Sequence, residues 1–532
     1  MRSRAVISGT VLCSAVVSGG WFVERGLRAS APDGAQRAHL YEQVLQLVAD
    51  DYVDTLQLGD LYTRTVNGLL GELNDPHTVL LSPERLARLN ESTTGRYGGV
   101  GIQIDVRDGW ITVVSPIAGG PADDAGMQPA DRVVAIDGRS TMGWTPDEAT
   151  KALRGAAGSP VRLEVERPGV ADHLTFALRR REIHFHAVRH AMMLRGDIGY
   201  VDLATFSEDA VPDVTAAVDS LRARGMRTMV FDLRGDPGGL LDQGVGLADL
   251  FLDSGQRIVS MKGRTPDANR AFDDHTPQRW PDLRLVVLVD SGSASASEIV
   301  AGALQDHDRA VLVGTQTYGK GSAQSLFPIG QASALKLTTA RWFTPAGRSI
   351  DRPHLPPGDD GGAPRVGPDT SRPAPEYKTD GGRKVLGGGG ITPDVAVGDT
   401  VPDERERELE RAIGSKFTVF RDVLASYALD LKAAHALSSP GFAVTPAMRE
   451  ELRKRLVARG VKVDSATYAG ASDLVDRLIG TQVTRYAFGE RAEFERAVRE
   501  DPMIEVALRV ANGARSRMRK LSATRRSISF PL

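Results

Sequence analysis

Ser293, Ser295 and Ser297 alternate with alanines in Ser293-Ala-Ser-Ala-Ser-Glu298, and a lysine between two glycines follows in Thr317-Tyr-Gly-Lys320-Gly-Ser-Ala-Gln324. A serine hydroxyl and a neutral amine can form a nucleophile and base that attack a carbonyl without histidine. The serines come after the apolar run Leu285 to Val289 and a Ser/Gly turn, and they open a run of good helix formers, Ala296 to Leu304. A hydroxyl there sits near the positive end of the helix dipole, beside N–H groups that have no intrahelical acceptor. Such donors can hold an oxyanion, each worth about 3–4 kcal/mol. Ser295-x-x-Glu298 also fits a capping box, which needs no catalysis. Spacing alone leaves the choice among three serines open.

Lys320 can act as a base only if burial among uncharged groups lowers its pKa toward neutrality. Gly319 and Gly321 leave room for close backbone approach. If Lys320 to Gln324 is extended, the two side chains share a face, and a neutral amide orients the amine without stabilising its charge. A rival reading is a phosphate loop, since Gly314-Thr-Gln-Thr-Tyr-Gly-Lys320 follows an apolar strand. That motif requires Ser or Thr after the lysine, and Gly321 stands there. A second loop, Asp232-Leu-Arg-Gly-Asp-Pro-Gly238-Gly239, ends a hydrophobic run, where a glycine pair suits ligand approach and a backbone oxyanion donor. His184 and His186 lack a third ligand at metal-site spacing, and His307 lies toward the far end of the Ser295 helix, too far to meet the hydroxyl.

The elements that must position these groups follow from periodicity. Residues 37–95 read as helical, with Leu40, Val44, Leu47 and Val48 at helical spacing and a break at Asn74-Asp-Pro-His77. Residues 96–182 carry short alternating strands between Gly/Pro turns, with one helix from Thr145 to Arg154. From 197 to 345, apolar strands alternate with helices, which predicts an α/β layer of parallel strands. Residues 355–390, rich in Pro and Gly, predict a long surface loop, and charged amphipathic helices run from 403 to the end. The net charge of −2 gives no support for nucleic-acid binding. A single cysteine, Cys13, excludes an intramolecular disulfide and a cysteine-based metal site.

Taken together these motifs resemble the carboxyl-terminal processing proteases, tail-specific serine peptidases with an embedded PDZ domain. The resemblance covers about residues 37–400 and rests on Ser293 to Ile299, Ala301-Gly-Ala-Leu-Gln-Asp306 with Arg309, and Thr317 to Gly321. Asp232 through Gly239 and Gly388-Gly-Gly-Ile-Thr-Pro-Asp394 also match. It implies an α/β serine-peptidase core (183–400) with an inserted PDZ β-module (96–182), an N-terminal helical cap (37–95) and a C-terminal helical domain (403–532). Ser295 is then the nucleophile, Lys320 the base and Gln324 its orienting partner. The oxyanion donors map to the N–H of Ala296 and of Gly238 or Gly239, with Glu298, Asp306 and Thr317 in support. Gly98, Gly99, Val100, Gly101 and Ile102 match the PDZ carboxylate-binding loop, and Arg154 matches an arginine that couples peptide binding to the active site. The turn reads Gly235-Asp236 where an asparagine-rich pair is commoner.

The implied activity is cleavage of proteins recognised by an accessible C-terminus, with no metal or nucleotide cofactor. The alternative is a PDZ scaffold or adaptor with a degenerate protease fold. Ala5 to Val23 is uncharged between Arg2, Arg4 and Glu24-Arg25, which predicts an export signal or membrane anchor within residues 1–30. The expected location is therefore the periplasm or cell envelope, with an inner-membrane tether if the segment stays. The C-terminal helices are expected to dock an adaptor or a second copy of the chain.

Overall fold

The computed structural model describes residues 32–330, 332–352, 374–397 and 404–513, with two-residue strands at 354–355 and 365–366. The apolar run Ala5 to Val23 and the basic segment Arg515 to Arg526 lie outside the described residues. Among the described residues no helix is long and apolar enough to cross a membrane. The chain divides into two compact units.

The smaller unit contains residues 32–83 with Gln324–Thr338. Two helices, Pro32–Asp51 and Leu58–Gly71, precede the expected break at residues 74–77, and the strand Val79–Leu81 follows it where helix was expected. The cause is local. The Asp75 carboxylate accepts the His77 N–H at 2.9 Å and the Thr78 hydroxyl at 2.6 Å, which closes a turn in place of another helical turn. The strand then pairs antiparallel with residues 334–336. Leu40, Val44 and Leu47 do form one helical stripe, but each is more than half exposed. The periodicity predicted the helix, not its burial.

In the larger unit the core sheet runs Val188–Arg195, Ile198–Leu203, Thr228–Asp232, Arg284–Val289, Ala310–Gly314 and Val395–Ala396 in spatial order. Only the first pair is antiparallel. Parallel strands covered on both faces need apolar side chains on both, and Leu285 to Val289 are buried without interruption. One face packs helices Ala210–Ala223, Leu241–Asp249 and Ala296–Asp306, through Val214, Val218, Leu247 and Val300. The other face is covered by the chain's far end, where Val498, Ile504, Ala507 and Leu508 meet Val230, Val286 and Leu288. Register decides where the site lies. Asp232 pairs with Leu288 and Val289 with Gly314, so three loops leave adjacent strands at the same carboxyl edge.

The β-module hangs on a two-stranded stem, with Arg96–Gly99 pairing antiparallel with Arg181–His184. Its own sheet, from Ile102–Arg107 to Leu174–Arg179, encloses Ile111, Val113, Val133, Leu163 and Val165. Its helix Pro146–Leu153 starts at a capping box between Thr145 and Glu148. The C-terminal helices form a core of their own around Phe420, Leu452, Val475 and Val483. They also reach the β-module: Arg421 pairs with Asp105 at 3.0 Å, Arg459 with Asp108 at 2.8 Å, and the Arg107 guanidinium lies 5.1 Å from the Tyr486 ring centre. These contacts join the C-terminal helices to the β-module within the chain.

Candidate active site

Ser295 caps the fully buried helix Ala296–Asp306 with φ +56° and ψ −113°, a strained conformation for a residue with a Cβ. The preceding turn is held by the Asp290 carboxylate, which accepts the N–H of Gly235 (2.8 Å), Gly292 (2.9 Å) and Ser293 (3.1 Å). The three serines are not equivalent. Ser293 donates its buried hydroxyl to the Leu233 carbonyl at 2.7 Å, and Ser297 donates to the Asp236 carbonyl at 3.0 Å. Both tie the helix start to the glycine turn, while Ser295 remains partly exposed.

Glu298 brings the lysine loop to this turn. Its buried carboxylate accepts the Thr317 hydroxyl (2.5 Å) and the Gly319 N–H (2.8 Å) on Oε1. On Oε2 it accepts the Ser295 N–H (2.9 Å) and the Lys320 N–H (2.9 Å). The capping role expected of Glu298 is therefore half of its work. One oxygen binds both amides, so the main chains of Ser295 and Lys320 lie within two hydrogen bonds of each other. Burial raises the Glu298 carboxyl above the usual range, and the four donors oppose that rise. A further bond, Tyr318 N–H to the Ser293 carbonyl at 3.0 Å, closes the same junction.

The two glycines around Lys320 are needed for space. A Cβ on Gly319 would come within 3.0 Å of Gly389 and Gly390 main chain, and one on Gly321 within 2.8 Å of Asp351. Lys320 precedes the strand Ser322–Ile329, so the expected strand alternation does not extend back to it. Gln324 belongs to the smaller unit, where its amide donates to the Thr338 hydroxyl at 3.2 Å.

The glycine turn packs on the serine turn. Gly238 has φ +88°, and a Cβ there would lie 2.8 Å from the Ala296 nitrogen and 2.9 Å from the Ser295 Cβ. Its N–H is not open, because it donates to the Asp236 carboxylate at 2.8 Å. Gly239 differs. Its neighbours bond Phe206 on both sides (Phe206 N–H to Gly238 O, Leu240 N–H to Phe206 O), which turns the Gly239 N–H away from that strand. Ala296 is the first helical residue, so its N–H has no intrahelical acceptor. In the sequence Asp236 stands out only where an asparagine-rich pair is commoner. Its burial could not be read from a turn motif.

Other named residues lie apart. Asp306 forms a buried ion pair with Arg348 (2.5 Å) and accepts the Ala346 N–H at 2.9 Å, an anchoring role at the helix's far end. His307 caps that end and contacts Asp380 and the Arg257 carbonyl, each at 2.7 Å. Among the described residues no group of three or more His, Cys, Asp or Glu could hold a metal ion. In the β-module Gly98 and Gly99 lie in the stem, Val100 is buried, Gly101 takes φ +74° and Ile102 starts the next strand. Arg154 ends the helix, pairs with Glu91 and places its guanidinium 4.3 Å from the Tyr97 ring centre.

This arrangement, a helix-capping serine clamped to a lysine loop and a β-module on a stem, is that of a PDZ-bearing peptidase. Residues 197–358 match peptidase family S41 and residues 112–167 match the PDZ domain. The chain is 40% identical over 314 residues to a carboxy-terminal-processing protease of Bartonella bacilliformis, covering 58% of this chain and 71% of the relative. It is 31% identical over 328 residues to the carboxy-terminal processing protease CtpA of Bacillus subtilis, covering 62% and 70%. A solved photosystem II D1 C-terminal processing protease shares 27% identity, over 68% of this chain and 93% of that one, with a TM-score of 0.37. The chain belongs to peptidase family S41, the carboxy-terminal processing proteases.

Proposed function

We propose that this chain is an endopeptidase in which Ser295 is the nucleophile and Lys320 the general base. The observation that carries the reading is the Glu298 carboxylate, which binds the main-chain N–H of both residues with one oxygen. In acylation the Ser295 hydroxyl passes its proton to neutral Lys320 as Oγ bonds to the scissile carbonyl carbon. The leaving amine takes that proton, and water then attacks the acyl-enzyme with Lys320 again as base. The oxyanion meets the N–H of Ala296 and of the Gly238-Gly239 turn, as the family resemblance implies. The PDZ module captures the substrate's C-terminal carboxylate at Gly98 to Ile102, while the tail adds as a strand. Arg154, held between Glu91 and Tyr97 at the end of the PDZ helix, is suited to report that capture.

The substrates are proteins or peptides with accessible C-termini, and the run Ala5 to Val23 supports an exported enzyme of the cell envelope. The test is degradation of an unfolded protein with an apolar tail by wild type, Ser295→Ala and Lys320→Ala. Loss of cleavage in both variants is expected. Equal cleavage by wild type and Lys320→Ala would remove the serine–lysine mechanism.

A further inference from the structure

The glycine turn holds an acid that this mechanism leaves idle. Asp236 is fully buried, and its main chain is fixed by bonds from its N–H to the Leu233 carbonyl (3.3 Å) and from the Ala294 N–H to its own carbonyl (3.0 Å). Its Oδ1 accepts the Gly238 N–H at 2.8 Å, while Oδ2 is buried with no hydrogen-bond partner. Ser297 is close, but its single O–H is spent on the Asp236 carbonyl at 3.0 Å. Gly238 packs so closely that a Cβ there would strike Ser295 and Ala296, so the carboxyl group lies one hydrogen bond from the turn that would hold an oxyanion.

A buried carboxylate with one bare oxygen is costly, whereas the neutral acid is not. The surrounding charges do little to change this. Arg189 favours the anion, but it is paired with Asp202 at 2.9 Å, and Asp202 opposes it. Asp232 is occupied by Arg234 and the Tyr200 hydroxyl, Asp290 by its three N–H donors and Glu298 by four donors. Lys320 enters from the loop beyond Glu298. Burial pushes the Asp236 carboxyl up to about 8.

We propose that Asp236 is a positioning residue that must hold a proton while the acyl-transfer transition state forms. Ionised, it grips the Gly238 N–H in a charge-assisted bond, roughly twice as strong as a neutral one, and sets a negative charge beside the developing oxyanion. Protonated, it removes that charge and lets the N–H turn toward substrate. Its proton stays in place through the cycle. Lys320 must therefore lose a proton and Asp236 must keep one, and the two bound the active pH range from opposite sides. This inference rests on the Ser295–Lys320 reading.

The test compares wild type with Asp236→Asn, which keeps the neutral acid's shape and places an N–H donor where Oδ2 stands. Cleavage of an apolar-tailed unfolded protein is followed from about pH 6 to about pH 10. Wild type should lose activity above a midpoint of about 8, approaching tenfold per pH unit. Asp236→Asn should keep the acid limb, lose the alkaline fall and exceed wild type several-fold by about pH 9. Melting temperature supplies an independent readout. A raised folded-state pKa contributes stability below the unfolded value and loses it as pH climbs to the folded value. Wild type should therefore lose stability relative to Asp236→Asn between about pH 4 and about pH 8, then run parallel to it. Identical alkaline limbs, or a melting difference constant across that window, overturn the proposal. If neither protein cleaves at any pH, the peptidase reading fails, and with it the oxyanion role. The melting curves then still decide whether Asp236 holds its proton.

Discussion

Glu298→Gln removes one acceptor oxygen and little else, so it isolates the clamp between the serine turn and the lysine loop. Each carboxylate oxygen receives two donors: Thr317 and Gly319 on Oε1, Ser295 and Lys320 on Oε2. An amide has one oxygen, and its NH2 group accepts nothing. Whichever way the new amide turns, two donors, buried at Thr317 and Gly319 or partly buried at Ser295 and Lys320, lose their partner and face another donor. Leaving a buried donor unsatisfied costs about 1–3 kcal/mol, so the variant should be destabilised by about 2–6 kcal/mol. Repulsion at that face also parts Ser295 from Lys320 or loosens the 317–319 turn. A misplacement of about 1 Å at such a pair costs about 100-fold in rate. Urea unfolding measures the first effect, and cleavage of an apolar-tailed unfolded substrate at saturating concentration measures the second. A variant within about 1 kcal/mol and twofold of wild type would refute the clamp, because no relaxation of the side chain supplies four acceptor sites.

Gly238→Ala should lose at least about 2 kcal/mol and most cleavage, since φ +88° disfavours alanine and its Cβ would strike Ala294, Ser295 and Ala296. Thermal unfolding and cleavage assays check this, and a silent variant would show that the turns do not pack as described. Arg348→Met should cost about 3–5 kcal/mol by leaving the Asp306 carboxylate buried with little beyond the Ala346 N–H. Adding Asp306→Leu to it should restore much of that loss, which a double-mutant cycle of unfolding midpoints reads directly.

Strands and helices of the core were legible because their signals are local. The apolar runs Leu285 to Val289 and Thr228 to Asp232 and the helix after Ser295 appear where periodicity puts them. The smaller unit shows the limit. Leu40, Val44 and Leu47 mark a helical face by spacing, yet that face is exposed, because periodicity records a stripe and not what covers it. Asp236 shows a different limit. A carboxylate in a Gly/Pro turn reads as solvated, and only the packing of three loops buries it.

The sequence by itself determined the chemistry on offer: a serine at a helix start, a lysine between glycines, a glycine turn after a strand, and a family that uses such parts. It also excluded the phosphate loop, through Gly321 alone. Tertiary structure decided which serine stays partly exposed, since Ser293 and Ser297 spend their hydroxyls on carbonyls about 60 residues away in the chain. It decided that Glu298 joins two loops rather than only capping a helix, and that Asp236 is buried in the glycine turn that packs on Ser295. The physical reason is register. Parallel strands that pair Asp232 with Leu288 and Val289 with Gly314 deliver all three loops to one edge, and no local pattern encodes that meeting.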